Sequence, residues 1–271
     1  MGGDCLIEDF IFDGVQLSDF GYIICSFDSS VGITTSPVSE NTYEEIKSSN
    51  SNISHKVSQS YDSNLSRVIQ ICKNPCSNEM ELSNDDVSEI TKWLCRKDYK
   101  WFRWIDLEDD DEIYYEAKIN IQKIELGNKI GFELNITTNR PYGLTRMFDT
   151  TFEFDSNSKK SINIYSDEEG YIYPDVIIEL KESGNLEIIN EFENRITSIK
   201  NCNVGEIITI IGNDTQQIVT SDNTHDLSES FIFNYNFLRL CNLYGNSTNM
   251  ISVNLKCNIT IKYRGIRKVG I

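Results

Sequence analysis

From Ile251 to Tyr263 every second residue is apolar: Ile251, Val253, Leu255, Cys257, Ile259, Ile261 and Tyr263, with a polar residue at each position between them. Side chains of a strand alternate between its two faces, so this row buries one side of an extended chain, whereas on a helix the same residues would point all round. The spacing predicts a single thirteen-residue strand, about twice the usual length, with its polar face turned to water or to a partner. A second row, Ile130, Phe132, Leu134 and Ile136, repeats the pattern, and Phe231, Phe233, Tyr235 and Phe237 form a third. Shorter strands are expected at 152–154, 162–165, 176–180, 186–189, 196–199 and 207–211, separated by turn residues such as Ser183-Gly184-Asn185 and Gly212-Asn213-Asp214. Many short strands at such intervals predict a mostly β chain built as a sandwich or jelly roll, not a parallel sheet.

The first half is more varied. Residues 10–28 place two aromatic and aliphatic runs around Asp13-Gly14, a turn signal that predicts a strand pair. Thirteen serines then fall between 26 and 66, a loop-rich stretch with edge strands expected near 56–61 and 67–72. One helix is expected at 84–95. Ser83 or Asn84 caps it, Asp85 and Asp86 complement its dipole, and Val87, Ile90, Trp93 and Leu94 form one apolar stripe. Trp101, Phe102 and Trp104 follow and read as core. The phase slip from Ile119 and Ile121 to Ile124 and Leu126 predicts a bulge at Gln122–Lys123, and Gly127-Asn128 predicts a turn. Arg140-Pro141-Tyr142-Gly143 breaks the alternation, which puts a domain junction there.

The chain of 271 residues is long enough for two cores, and 39% hydrophobic residues exclude a disordered chain. A net charge of -17 excludes a phosphate-backbone ligand, although it permits a surface past which DNA slides without sticking. The charge is uneven. No acid occurs after Glu229, while Arg239, Lys256, Lys262, Arg264, Arg267 and Lys268 do, so the last 42 residues carry +6 and the remainder 19 - 42 = -23. A basic end on an acidic body suits pairing within or between subunits; a solvated surface with no partner is the plainer alternative. The start, Met-Gly-Gly-Asp-Cys, has no basic region followed by an apolar run, so no secretory signal is expected. No stretch nears the roughly 18 apolar residues of a membrane span, so no membrane insertion is expected. With cytoplasmic synthesis, the eight scattered cysteines read as reduced, mostly buried small hydrophobes.

Both ends of the chain resemble the phage distal tail protein family. At the start the resemblance lies in Phe10-x-Phe12-Asp13-Gly14 and Ser18-Asp19-Phe20-Gly21-Tyr22, and at the end in the strand running into Lys262-Tyr263-Arg264-Gly265-Ile266-Arg267-Lys268-Val269-Gly270. Trp93-Leu94 with the aromatics after it, and Ile199-Lys200-Asn201-Cys202 with Gly205-Glu206, also look like family positions. Gly265 departs from the pattern, standing where many relatives carry proline. The resemblance implies an N-terminal β-sandwich-like domain with one short helix, over 1–147, that forms a hexameric ring continuing the tail tube. A C-terminal galectin-like or jelly-roll domain over 148–257 would project outward. The terminal strand, 258–271, would return to the N-terminal domain. The implied partners are five: further copies of the chain, the tail tube protein, the tail-associated hub or lysin, receptor-binding proteins, and DNA as passing cargo. The implied location is the virion tail tip or a tail-like particle, after synthesis in the bacterial host cytoplasm. Candidate subunit-interface residues are Phe10, Phe12, Phe20, Tyr22, Arg264, Arg267 and Lys268.

Catalytic and metal chemistry find little support in the residues. His55 and His225 are the only histidines and neither accompanies a G-x-S-x-G elbow, so both are expected in exposed loops. Cys72-x-x-x-Cys76 offers half of a zinc site without a second pair nearby and is expected to be a reduced turn pair. The acidic run 106–112 lacks the glycine and distant glutamate of a calcium loop and reads as a solvated turn. No cofactor is expected. A second reading is a carbohydrate-binding module of the same apparatus, with Tyr171 and Tyr173 as exposed aromatics. A third, a cell-wall hydrolase, lacks a catalytic signature, although among 42 acids some pair could always be found.

Overall fold

The computed structural model describes residues 7–27, 38, 41–47, 53–61, 63–76, 81–106, 112–212, 216–231, 236–244 and 246–271. The chain divides into two compact units, Met1–Thr145 with Arg267–Ile271, and Arg146–Ile266. The chain is mostly β, with antiparallel sheets in both units.

The first unit is built on β1 (Ile7–Phe12), β2 (Val15–Gln16), β3 (Tyr22–Cys25), β4 (Asn41–Lys47), β5 (Ser54–Tyr61), β6 (Ser66–Lys73), β7 (Lys100–Asp106), β8 (Tyr115–Leu126) and β9 (Asn128–Thr138). Seven of these strands make one antiparallel sheet in the order β2-β1-β7-β8-β9-β6-β3. Asp13 and Gly14 are both left-handed, at φ 52 and 80, which closes the β1–β2 pair with the mirror-image turn that matches strand twist. The β8–β9 bulge falls between Ile124 and Glu125, two residues beyond the expected position. Gly127, at φ 77, then turns the chain. Strand β6 is not an edge, because β9 and β3 flank it.

Helix α1 (Asn84–Leu94) lays Ile90, Trp93 and Leu94 into the core formed by this sheet's inner face. Ser83 caps it: its Oγ accepts from the Asp86 amide at 3.1 Å, and Asp86 Oδ2 accepts from the Ser83 amide at 2.7 Å. Lys73 Nζ lies 2.8 Å from the same carboxylate and ties the helix to β6. Burial pushes the Asp86 carboxyl up, but Lys73 and Ser83 outweigh it and hold the group down to about 2. The aromatic trio expected as core is split. Phe102 is buried and Trp104 half-buried, whereas Trp101 is 41% exposed, because neighbouring residues of β7 face opposite sides.

The second unit begins after β10 (Gly143–Leu144). Its strands are β11 (Phe148–Phe154), β12 (Ser158–Asn163), β13 (Gly170–Ile172), β14 (Asp175–Leu180), β15 (Gly184–Asn190), β16 (Arg195–Cys202), β17 (Ile207–Ile211), β18 (Gln217–Thr220), β19 (Leu240–Asn242), β20 (Thr248–Val253) and β21 (Cys257–Tyr263). A five-stranded sheet, β11-β21-β14-β17-β18, and a four-stranded sheet, β12-β20-β15-β16, contribute their inner residues to one apolar core, which makes a sandwich.

The thirteen-residue strand expected at 251–263 is two strands. β20 belongs to the four-stranded sheet and β21 to the five-stranded one, so the single apolar row feeds both inner faces. Asn254 makes the break: its Oδ1 accepts from the Glu187 amide and its Nδ2 donates to the Asn185 carbonyl, both at 2.8 Å. β21 groups with the second unit, and only Arg267–Ile271 group with the first. Of the row 231–237, Phe231 and Phe237 are buried with ring centroids 5.2 Å apart, and residues 232–235 lie outside the described residues. A Cβ on Gly265 would sit 1.7 Å from the Tyr165 carbonyl oxygen, so this chain packs its backbone where a proline ring would not fit.

Candidate assembly interface

Within the single chain Phe10, Phe12 and Tyr22 are buried in the core of the first unit and Phe20 packs partly buried against it, so these rings face inward and not toward a subunit surface. Phe10 and Phe12 sit on the inward face of β1 opposite Trp104 and Phe102, and both are fully buried. Phe10 stacks on Trp93 at 5.9 Å and Phe20 on the same ring at 4.5 Å, while the Trp93 indole donates to the Phe12 carbonyl at 3.1 Å. Tyr22 packs against Phe132 at 6.0 Å; burial first, then Asp86 and Glu89, push its hydroxyl up to about 12. These rings anchor α1 to the sheet. The period-two pattern of β1 puts Phe10 and Phe12 on one face, and that face is the one α1 covers.

The basic candidates are half-buried. Arg264 lies in the second unit, while Arg267 and Lys268 lie in the segment that groups with the first. That segment is fastened by Tyr115, whose hydroxyl donates to the Gly270 carbonyl at 2.5 Å, and by Arg67, which donates to the Ile271 carbonyl at 3.2 Å. Lys268 Nζ stands 5.7 Å from the Tyr61 ring centre at the end of β5.

Tyr61 closes a two-stranded ribbon: the strand expected near 56–61 is β5 (Ser54–Tyr61), and its partner β4 (Asn41–Lys47) was not expected. Strands β4 and β5 pair only with each other among the described residues, in register from Asn41 opposite Tyr61 to Lys47 opposite Ser54. The described side chains of β4 and β5 are exposed except for Tyr61, including Tyr43 at 51%, Ile46 at 63% and Val57 at 58%. A bulge at Val57 separates the two halves of the ribbon. A two-stranded ribbon without a core face is marginal in water and is steadied when a further surface covers it. This combination makes the ribbon the candidate assembly surface. The signal for β4 was weak because it carries no strict alternation and lies in the Ser-rich stretch.

His225 is not an exposed loop residue: its side chain is buried, with Nδ1 2.6 Å from Glu206 Oε1 and Nε2 2.9 Å from the Lys200 carbonyl. Both ring nitrogens are therefore occupied, and neither is free to serve a nucleophile. Glu206 also accepts from the Asn203 amide at 2.9 Å and from the Thr220 hydroxyl. Burial raises the Glu206 carboxyl, but these bonds together with His225 outweigh it and hold it below the usual carboxylate range. His55 is exposed on β5. Cys72 is buried and Cys76 exposed, so the two do not share an environment. Burial pushes the Cys202 thiol up to about 11 and the Cys257 thiol to about 12, far from a reactive thiolate. Among the described residues no group of three or more His, Cys, Asp or Glu could hold a metal. The acidic run at 107–111 lies outside the described residues. No helix among the described residues is long and apolar enough to cross a membrane.

Comparison with known proteins gives two family matches. Residues 6–140 match the model of a phage tail protein N-terminal domain, and residues 142–263 that of a phage tail C-terminal domain. No curated protein matches in sequence. Among solved structures, the Dit protein of phage SPP1, described as a paradigm of the hub adsorption apparatus in phages infecting Gram-positive bacteria, matches with a TM-score of 0.67 at 11% identity. The match covers 95% of this chain and 98% of that one, so the two share a fold. A chain of the phage P2 baseplate in its activated conformation matches at a TM-score of 0.47 and 12% identity, over 94% of this chain and 97% of the other.

Proposed function

The chain belongs to a family of phage tail proteins, and from that premise we propose that it is a distal tail ring protein that performs no catalysis. Six copies form a ring at the tail tip, joining the tail tube protein above to the tail-associated hub below and holding receptor-binding proteins. DNA passes through as cargo, and the acidic charge of the chain, -17, suits such a passage by repulsion. The observation that carries the reading is the exposed β4–β5 ribbon, whose apolar side chains Tyr43, Ile46 and Val57 face away from any core and suit contact with a neighbouring copy. The shared fold with SPP1 Dit supports it. Arg264, Arg267 and Lys268 set the register between copies, since partly desolvated charges repeated around a ring orient an interface better than they strengthen it.

Sedimentation velocity tests the role of the ribbon. Wild-type protein is expected to sediment as a hexamer at high concentration. Ile46→Asp with Val57→Asp is expected to weaken assembly by about tenfold or more, because two charges would be placed against an apolar contact. Circular dichroism of the variant is expected to match wild type, as both side chains are exposed in the single chain. A variant that assembles like wild type would remove the ribbon from the interface.

A further inference from the structure

A cyclic ring of identical chains closes only when one surface of each copy meets a second, different surface of the next. The β4–β5 ribbon supplies one of the two. The first unit carries a surface suited to be the other.

The seven-stranded sheet has two faces. The inner one, that of Phe102, packs with α1 into the core. On the opposite face Trp101 stands across from Glu116, with Tyr99 and Arg103 two residues either side of it and Tyr114 and Lys118 either side of Glu116. Trp101 is 41% and Tyr99 38% exposed. Large aromatic side chains grouped on an open sheet face mark a contact with another molecule.

The group is held in place before any contact. Tyr114 meets Trp101 edge-on at 6.3 Å and donates its hydroxyl to one oxygen of Glu112 at 2.7 Å, while Arg103 holds the other at 2.9 Å. Lys118 Nζ lies 4.5 Å from the Tyr99 ring centre. Glu116 accepts from Asn139 Nδ2 at 2.7 Å and lies 3.4 Å from Arg140. Side chains fixed in this way lose little freedom when a partner covers them.

The charge also points to the occupant. Arg103, Lys118 and Arg140 against Glu112 and Glu116 leave this face at 3 - 2 = +1, on a chain of net charge -17. Strand β4 has the opposite sign: Glu44 and Glu45 against Lys47 give 1 - 2 = -1. Its exposed run Tyr43-Glu44-Glu45-Ile46 sets two acids between two apolar side chains. The apolar pair suits Trp101 and Tyr99, and the acids suit the cations around them.

We propose that this face receives β4 of a neighbouring copy. The proposal deepens the ring reading and rests on it.

Two full-length variants, each with one surface spoiled, test the pairing. Ile46→Asp with Val57→Asp spoils the ribbon and keeps the face. Trp101→Ser spoils the face and keeps the ribbon, and Tyr99→Ser serves as a second face variant should the first fail to fold. Circular dichroism spectra are expected to match wild type, and each face variant is expected to assemble about tenfold or more weakly in sedimentation velocity. The ribbon variant, labelled at its N-terminus, is then titrated with unlabelled ribbon variant or with a face variant, and fluorescence anisotropy follows binding. Only the second mixture contains an intact pair of surfaces, so its affinity is expected to be higher by about tenfold or more. Wild-type protein that never assembles would overturn the ring reading and this proposal with it. Wild-type rings together with face variants that assemble equally well, or equal affinities in the two titrations, would overturn the receiving face alone.

Discussion

Phe10→Ala is expected to cost the first unit about 3–5 kcal/mol, the range for removing a fully buried phenyl ring. Such a loss is a large part of the roughly 5–15 kcal/mol that holds a domain together. Phe10 meets Trp93 at 5.9 Å, Phe102 at 5.4 Å and Trp104 at 6.1 Å, so its removal empties the centre of an aromatic cluster that α1 and the sheet share. The measurement is unusually selective. All three tryptophans, at 93, 101 and 104, lie in the first unit, so indole fluorescence during urea unfolding follows that unit alone. The transition is expected to move to much lower urea with its slope unchanged. A loss below about 1 kcal/mol would mean that Phe10 is not a core residue, and would return it to the subunit surface.

Glu206→Ala is expected to destabilise the second unit by about 3–5 kcal/mol, as breaking a buried pair does when one partner stays behind. Glu206 and His225 are both shielded from water, and the substitution leaves the imidazole, the Thr220 hydroxyl and the Asn203 amide without their common acceptor. Glu206→Gln keeps an acceptor oxygen and is expected to lose less. Since the second unit has no tryptophan, calorimetry is the readout, and the fluorescence transition of the first unit is expected to stay in place. The acid response follows from the depressed carboxyl. Its contribution is complete above the ordinary glutamate value of about 4.3 and fades as the pH falls through the lower folded value. Wild type is therefore expected to lose stability in acid more steeply than Glu206→Gln. Equal slopes would mean that the carboxylate is not held by the bonds described.

The sequence carried most of the architecture because alternation is local. The rows in β9 and in β20–β21, and the stripe of α1 with its Ser83 cap, need no knowledge of distant residues. What failed was decided by partners far along the chain. The break at Asn254 depends on Asn185 and Glu187, some seventy residues earlier. His225 reads as a loop histidine until Glu206 closes on it, even though Glu206 itself falls in a stretch that looks like a family position. Phe10 and Phe12 mark a motif without revealing which way it faces; the helix that covers them starts more than seventy residues later. Of the β4–β5 ribbon, β5 was legible near 56–61 but β4 was not, because a strand without a buried face has no period to detect.

Closure of copies of this chain into a ring underlies the proposed role. Electron microscopy of the purified full-length protein at high concentration tests it most directly, with class averages computed without imposed symmetry. Rings with six-fold symmetry around an open centre wide enough for a DNA duplex are expected. Single particles of one chain at every concentration, together with the absence of any such ring in purified tails, would contradict it.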